Sequence, residues 1–158
     1  MQRKYLLITF IALLSQLSTG QIFEPVKWSH ELKITGKTTG EIIHKATIEK
    51  SWHLYGMNIP PDGPRPTQIV YESLVNAKKS GNIQGKSKLI DVFDASFNMN
   101  LSWYANEAIF VQKITFEDAS KVKVAGYVEF MACDDERCLP PAQDEFSLGN
   151  AKAVAVAQ

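Results

Sequence analysis

A chain of 158 residues, 45% hydrophobic and 22% charged, is large enough to bury one core and too small for two ordinary domains. Its 17 basic and 17 acidic residues cancel, and loss of Arg3 and Lys4 with the leader described next takes the 17 basic residues to 15. A slightly acidic domain excludes the clustered positive charge of a nucleic-acid footprint.

Met1 to Gly20 reads as a signal peptide. Arg3 and Lys4 form a positive start, Tyr5 to Leu14 an apolar segment, and Ser18-Thr19-Gly20 a small-residue cleavage site, which places the cut after Gly20. The apolar run is well short of the roughly 20 residues that span a bilayer, and no cysteine stands near the cut to carry a lipid. The mature chain is therefore expected to be exported and not membrane-embedded, in a compartment where disulfides persist. Residues 21–150 are expected to form one domain and 151–158 a tail.

The mature chain reads as strands. Val26, Trp28, His30, Leu32 and Ile34 alternate with polar residues, Gly36 to Gly40 turns the chain, and Ile42, His44, Ala46 and Ile48 repeat the pattern. His30 and His44 thus fall on apolar faces, where histidines satisfied by a hydrogen bond are expected. After Trp52-His53-Leu54-Tyr55-Gly56, the prolines at 60, 61, 64 and 66 exclude a central strand and place that loop on the surface or at a sheet edge. Thr67 to Glu72 resumes as a strand. Ser73 to Gly85 carries a weak pattern, and Lys88 to Phe93 a short strand. Asp94 to Asn100, polar apart from Phe97 and Met99, shows neither strand nor helix signal. Leu101 to Tyr104 and Ala108 to Phe116 read as strands joined around Asn106. Lys121 to Met131 alternates strongly, and Gln143 to Leu148 is its expected antiparallel partner. Eight or nine short strands with no helical period predict an all-β sandwich or barrel.

The only cysteines, Cys133 and Cys138, follow the Lys121 to Met131 strand and precede Leu139-Pro140-Pro141. A tight turn suffices to bring them together. So short a ring contributes roughly 2 kcal/mol by loop entropy, against about 4.7 for a loop of about 100 residues. A local staple and an exchangeable redox pair both remain open. Only a thiolate attacks a disulfide. Asp134, Asp135 and Glu136 raise a thiol's pKa while Arg137, adjacent to Cys138, lowers it, which marks Cys138 as the better nucleophile. No Gly-x-Ser-x-Gly elbow, phosphate-binding glycine loop or His-Glu-x-x-His motif occurs. Cysteines, methionines and His30, His44 and His53 are potential copper or zinc ligands, but two cysteines cannot close a four-ligand site and the histidine spacing adds none; no metal and no cofactor is expected.

The run Val128 to Pro141, with its Cys-x4-Cys-Leu-Pro-Pro core, resembles the active-site hairpin of the N-terminal periplasmic domain of the thiol:disulfide interchange protein DsbD. Trp52-His53-Leu54-Tyr55 is similar to an aromatic strand end of that domain, and Phe97 through Trp103-Tyr104 to Ile114 to its cap loop and following strand. The likeness spans roughly Trp28 to Leu148. It implies an immunoglobulin-like β-sandwich with a cap loop, located in the periplasm. It further implies a protein-disulfide reductase component that passes reducing equivalents from a membrane electron conduit to thioredoxin-like or disulfide-isomerase-like periplasmic proteins. Carried over by position, Cys138 forms the mixed disulfide, Cys133 resolves it, Phe97 caps the pair, and His53, Tyr55 and Arg137 line the site. The cysteines are one residue closer than in the best-known member, and Ala95-Ser96 stand where acidic residues precede its cap aromatic. The sequence stops at Gln158 without the membrane segment or thioredoxin-like domain that follow in DsbD, so donor and acceptor are expected on separate polypeptides. The competing expectation is a non-catalytic exported binding module with a structural disulfide.

Overall fold

The computed structural model describes residues 23–149. The expected leader, its cleavage after Gly20 and the tail 151–158 lie outside the described residues. In chain order the strands are β1 (Val26–Ile34), β2 (Thr39–Ile48), β3 (His53–Tyr55), β4 (Gln68–Val75), β5 (Ala77–Lys79), β6 (Gln84–Gly85), β7 (Ile90–Asp94), β8 (Met99–Ala105), β9 (Glu107–Phe116), β10 (Lys123–Phe130), β11 (Ala132–Cys133) and β12 (Ala142–Gly149). One 3-10 turn, Ala119–Lys121, interrupts them. Among the described residues no helix is long and apolar enough to cross a membrane.

The strands pair antiparallel into three sheets. One is ordered β1-β2-β9-β5 with β6 also on β9, the second β12-β10-β4, and the third β11-β3-β8-β7. The first forms one layer, and the other two lie side by side as the opposing layer. Ile42, Ile114 and Phe116 of the first meet Val124, Val128 and Phe146 of the second, whereas Ala46, Ala108 and Phe110 meet Leu54, Tyr104 and Ala132 of the third. Each buried Val, Leu, Ile or Phe among them contributes about 1.5–3 kcal/mol. The result is the expected all-β, immunoglobulin-like sandwich.

His30 and His44 face each other across β1 and β2 and are both hydrogen-bonded, as expected of core histidines. His30 Nε2 lies 2.8 Å from Asp144 Oδ1, the two Nδ1 atoms are 2.7 Å apart, and His44 Nε2 is 2.9 Å from the Tyr71 hydroxyl. A carboxylate only accepts, so His30 donates from Nε2. With one proton per ring, His44 then donates from Nδ1 to His30, and Tyr71 donates to His44 Nε2. The chain ties the first sheet to β4 and β12 of the second. Burial, and then the neighbouring His30, push the His44 pKa down to about 3.

Several boundaries differ from those expected: β2, β7 and β10 are each shifted or shortened by one or two residues at their ends. Ser73 to Val75 prolong β4, β5 and β6 arise within the weak segment, and Met99 and Asn100 belong to β8. Ala77 to Lys79 pair with Phe116 to Ile114, and Gln84 and Gly85 with Val111 and Phe110. A ladder on an already formed strand satisfies these backbones without an apolar face of their own, and the exposed lysines suit an edge.

Candidate functional site

The chain leaves the second sheet at Phe130, crosses at Met131 and enters the third as β11, where Ala132 pairs with Leu54 and Cys133 with His53. Side chains alternate across a strand. Leu54, Ala132 and Tyr104 therefore point into the sandwich, while His53, Tyr55, Leu101, Trp103 and Cys133 share the outer face. That face is not bare. Tyr55, Leu101 and Cys133 form a small separate core, covered by Ile59 of the proline-rich loop, Phe97, Met99, Trp103 and Met131.

Cys133 and Cys138 form a disulfide, their Cα atoms 4.0 Å apart. Its two halves differ. Cys133 is 1% exposed, whereas Cys138 stands in solvent. The turn between them is made by Asp134, whose Oδ1 accepts from the backbone N–H groups of Glu136 (2.9 Å) and Arg137 (2.8 Å), while its own N–H donates to the Arg137 carbonyl. These bonds, the one from Glu136 foremost, hold the Asp134 carboxyl below its usual range. Beyond the ring, Leu139 N–H returns to the Ala132 carbonyl at 3.0 Å. Arg137 is exposed, 3.7 Å from Asp134 and over the rings of Phe23 and Trp52 at 5.5 and 5.6 Å. Its charge is thus shared with a carboxylate and two ring faces, in addition to its adjacency to Cys138.

His53 is 9% exposed, stacked on Trp103 with ring centres 3.9 Å apart and edge-on to Tyr55 at 5.2 Å. Its Nε2 is buried without a hydrogen-bond partner. Burial lowers its pKa, partly offset by Asp94, Asp135 and Asp134. Tyr55 is fully buried, and its hydroxyl donates to Asp94 Oδ2 at 2.8 Å. Burial, followed by that carboxylate, raises the phenol pKa well above its usual range, so Tyr55 remains a donor.

Asp94, an acidic residue near the cap aromatic in sequence, was not among the expected site residues. It is 6% exposed, and its Oδ1 accepts from the N–H groups of Ser96 (2.8 Å) and Phe97 (3.3 Å) at the tip of the β7–β8 hairpin. Asn98 takes the left-handed conformation, φ 53°, that closes this tip, a position asparagine tolerates. Asp94 therefore shapes the turn with one oxygen and fastens it to β3 with the other. The fastening presents Phe97 edge-on to Tyr55, ring centres 5.9 Å apart. An aspartate ending a strand before Ala-Ser is an Asx-turn signal that was available in the sequence; its long-range bond to Tyr55 was not.

The structure thus gathers Cys133, His53, Tyr55 and Phe97 on one face, with Cys138 and Arg137 at its open edge. Two depressions flank Pro141. A groove of about 370 Å³ runs along Phe23, Val26, Phe130 and Leu139, and a shallower one of about 640 Å³ along Ile59, Phe97 and Met131. Among the described residues no group of three or more His, Cys, Asp or Glu is placed to hold a metal ion.

No family model matches the chain, and no curated protein matches its sequence. Its architecture is similar to the N-terminal periplasmic domain of ScsB from Proteus mirabilis, with a TM-score of 0.59, 14% identity, and coverage of 87% of this chain and 53% of that one. The chain thus spans about half the length of that protein structure. It also matches the DsbD N-terminal domain of Neisseria meningitidis in the reduced form, with a TM-score of 0.47, 17% identity, and coverage of 78% of this chain and 86% of that one. At 14% identity the property shared with the ScsB domain is the fold.

Proposed function

We propose that residues 21–150 form an exported thiol-disulfide relay domain, acting in the periplasm as the reductase component that passes electrons from a membrane conduit to thioredoxin-like or disulfide-isomerase-like proteins. The observation that carries this reading is the asymmetry of the disulfide, with Cys138 in solvent and Cys133 sealed under an aromatic cover. A staple has no use for that division, whereas a relay needs one sulfur to meet partners and one to close the cycle. The fold shared with a ScsB periplasmic domain adds support.

In the reducing direction, the Cys138 thiolate attacks one sulfur of an oxidised partner. The partner's disulfide breaks, a Cys138–partner bond forms, and the other partner sulfur leaves as a thiolate that takes a proton. Cys133 then attacks Cys138, which restores the internal disulfide and releases the partner's second sulfur as a thiol. Two electrons and two protons have left the pair, and the membrane donor returns them. No cofactor takes part. In this reading Phe97 is the lid over the pair, and the depressions beside Pro141 receive the partner.

The test is capture by disulfide linkage. Under mild oxidant Cys133→Ser is expected to retain partners on Cys138, and Cys138→Ser to retain none. If Cys133→Ser captures nothing and thioredoxin-like reductants leave the wild-type bond intact, the relay reading fails. A very negative reduction potential, with partner binding unchanged when both cysteines are serine, identifies a structural disulfide in a binding module instead.

A further inference from the structure

Cys133 and His53 are direct register partners in the short β3–β11 ladder, on the same outer face. Directly opposed residues of antiparallel strands hold their Cβ atoms about 4.5–5.5 Å apart. The imidazole cannot swing away, because Trp103 stacks on one of its faces and Tyr55 meets its edge. Yet Nε2 is enclosed and has no partner. Buried polar atoms are rarely left so, and an exception calls for an explanation. The disulfide offers one. While Cys133 is bonded to Cys138 it has no proton to give, and on reduction it becomes a thiol at the strand position directly opposite His53.

We propose, resting on the relay reading, that His53 Nε2 is the proton acceptor for the Cys133 thiol and so drives the resolving step. In the mixed disulfide, with the imidazole proton on Nδ1, Nε2 accepts a hydrogen bond from the Cys133 S–H and then its proton. The thiolate attacks Cys138 Sγ, the Cys133–Cys138 bond forms, and the Cys138–partner bond breaks. The partner sulfur departs with the electron pair and takes the proton that His53 held. The imidazole ends neutral, and atoms and electrons balance. In the reverse direction an incoming thiolate attacks exposed Cys138, and Cys133 leaves as a thiolate in an apolar enclosure. There a proton returned through His53 spares an isolated buried charge.

The charged and titratable groups around His53 fit this role. Asp134 and Asp135 act on it from the hairpin, Asp94 from β7, and Tyr55 stands beside it on β3; β8 presents the uncharged Trp103. Burial keeps the ring neutral near pH 7 and able to accept, and the three carboxylates stabilise the transient imidazolium.

The step is measurable without any biological partner. Reduced protein mixed with Ellman's reagent should release thionitrobenzoate in two phases, first as Cys138 attacks and then as Cys133 resolves the Cys138 adduct. In His53→Gln the second phase is expected to slow about 100-fold near pH 7 and to recover as the pH approaches the ordinary thiol pKa of about 8.5. The first phase should keep its rate. A second phase unchanged in rate and pH profile overturns the proposal. The wild-type protein gives an independent reading by NMR. Of the three histidines, the ring resonances of His53 should shift on reduction and titrate together with the Cys133 thiol. If they are identical in the two redox states, His53 has no such role. Failure of the relay reading would appear as absence of captured partners, with the two phases intact.

Discussion

The bond between Tyr55 and Asp94 permits a quantitative test of the lid. If the hairpin tip lifts as a unit, the two backbone bonds to Asp94 Oδ1 travel with it, because both partners belong to the tip. What must break is the Tyr55 hydroxyl bond to Oδ2, at 2.8 Å, and the edge-on contact of Phe97 with the Tyr55 ring. A hydrogen bond to a charged group contributes about 1.5–3 kcal/mol. Tyr55→Phe removes that bond and keeps the ring, so the lifted population should rise about 10- to 150-fold (RT ≈ 0.59 kcal/mol). Alkylation of the covered Cys133 thiol in the Cys138→Ser protein, followed as loss of free thiol over time, should accelerate by a similar factor if the reagent enters through the lifted state. The same loss should lower Tm by about 6–12 °C, at roughly 4 °C per kcal/mol for a domain of this size. If Tm falls and the alkylation rate does not change, the tip is an anchor of the fold and no lid. If neither changes, the hydroxyl bond is not formed in solution.

Phe97→Ala keeps the Tyr55–Asp94 bond and removes the edge-on ring contact, for which about 0.5–1.5 kcal/mol is typical; alkylation of Cys133 in the Cys138→Ser protein should accelerate about 2- to 10-fold. No acceleration would show that the ring shields nothing. His44 makes stability acid-sensitive. Unfolded, it binds a proton below its ordinary value of 6.5, and folded only near 3. The unfolded state therefore carries the extra proton between these values, and stability, full above pH 6.5, is lost as pH falls, by about 1.4 kcal/mol per unit. Denaturant midpoints measured across that window should show the slope, and His44→Gln should flatten it. At the register irregularity of β10 with β4, Gly126 leaves no room for a side chain, since an added Cβ would collide with the Val70 carbonyl oxygen and press on the Phe146 ring. Gly126→Ala should destabilise by at least about 1–3 kcal/mol. An unchanged thermal midpoint would contradict the packing described.

What was legible in the sequence was what alternation and local chemistry encode. Val26 to Ile34, Glu41 to Glu49, Ala108 to Phe116 and Lys121 to Met131 each carry a period-2 pattern, and within each lies a strand whose apolar face is buried, although Glu49, Lys121 and Met131 fall outside the strands. Polar Ala77-Lys78-Lys79 and Gln84-Gly85 carry no such pattern and became strands because β9 offered them a ladder, which is a property of the partner strand. The site divides in the same way. The sequence by itself determined that two cysteines are spaced so that they can close a small ring at a strand end and that Phe97 stands in a polar stretch without strand or helix signal. Tertiary structure alone decided that Cys133 is sealed while Cys138 is open, that Asp94 fastens the turn to Tyr55 across 39 residues of chain, and that His53 faces Cys133 with an unpaired nitrogen. Spacing constrains a ring because its closure is local. Burial, register and unsatisfied polar atoms depend on which distant strands come together, and no window of sequence contains both partners.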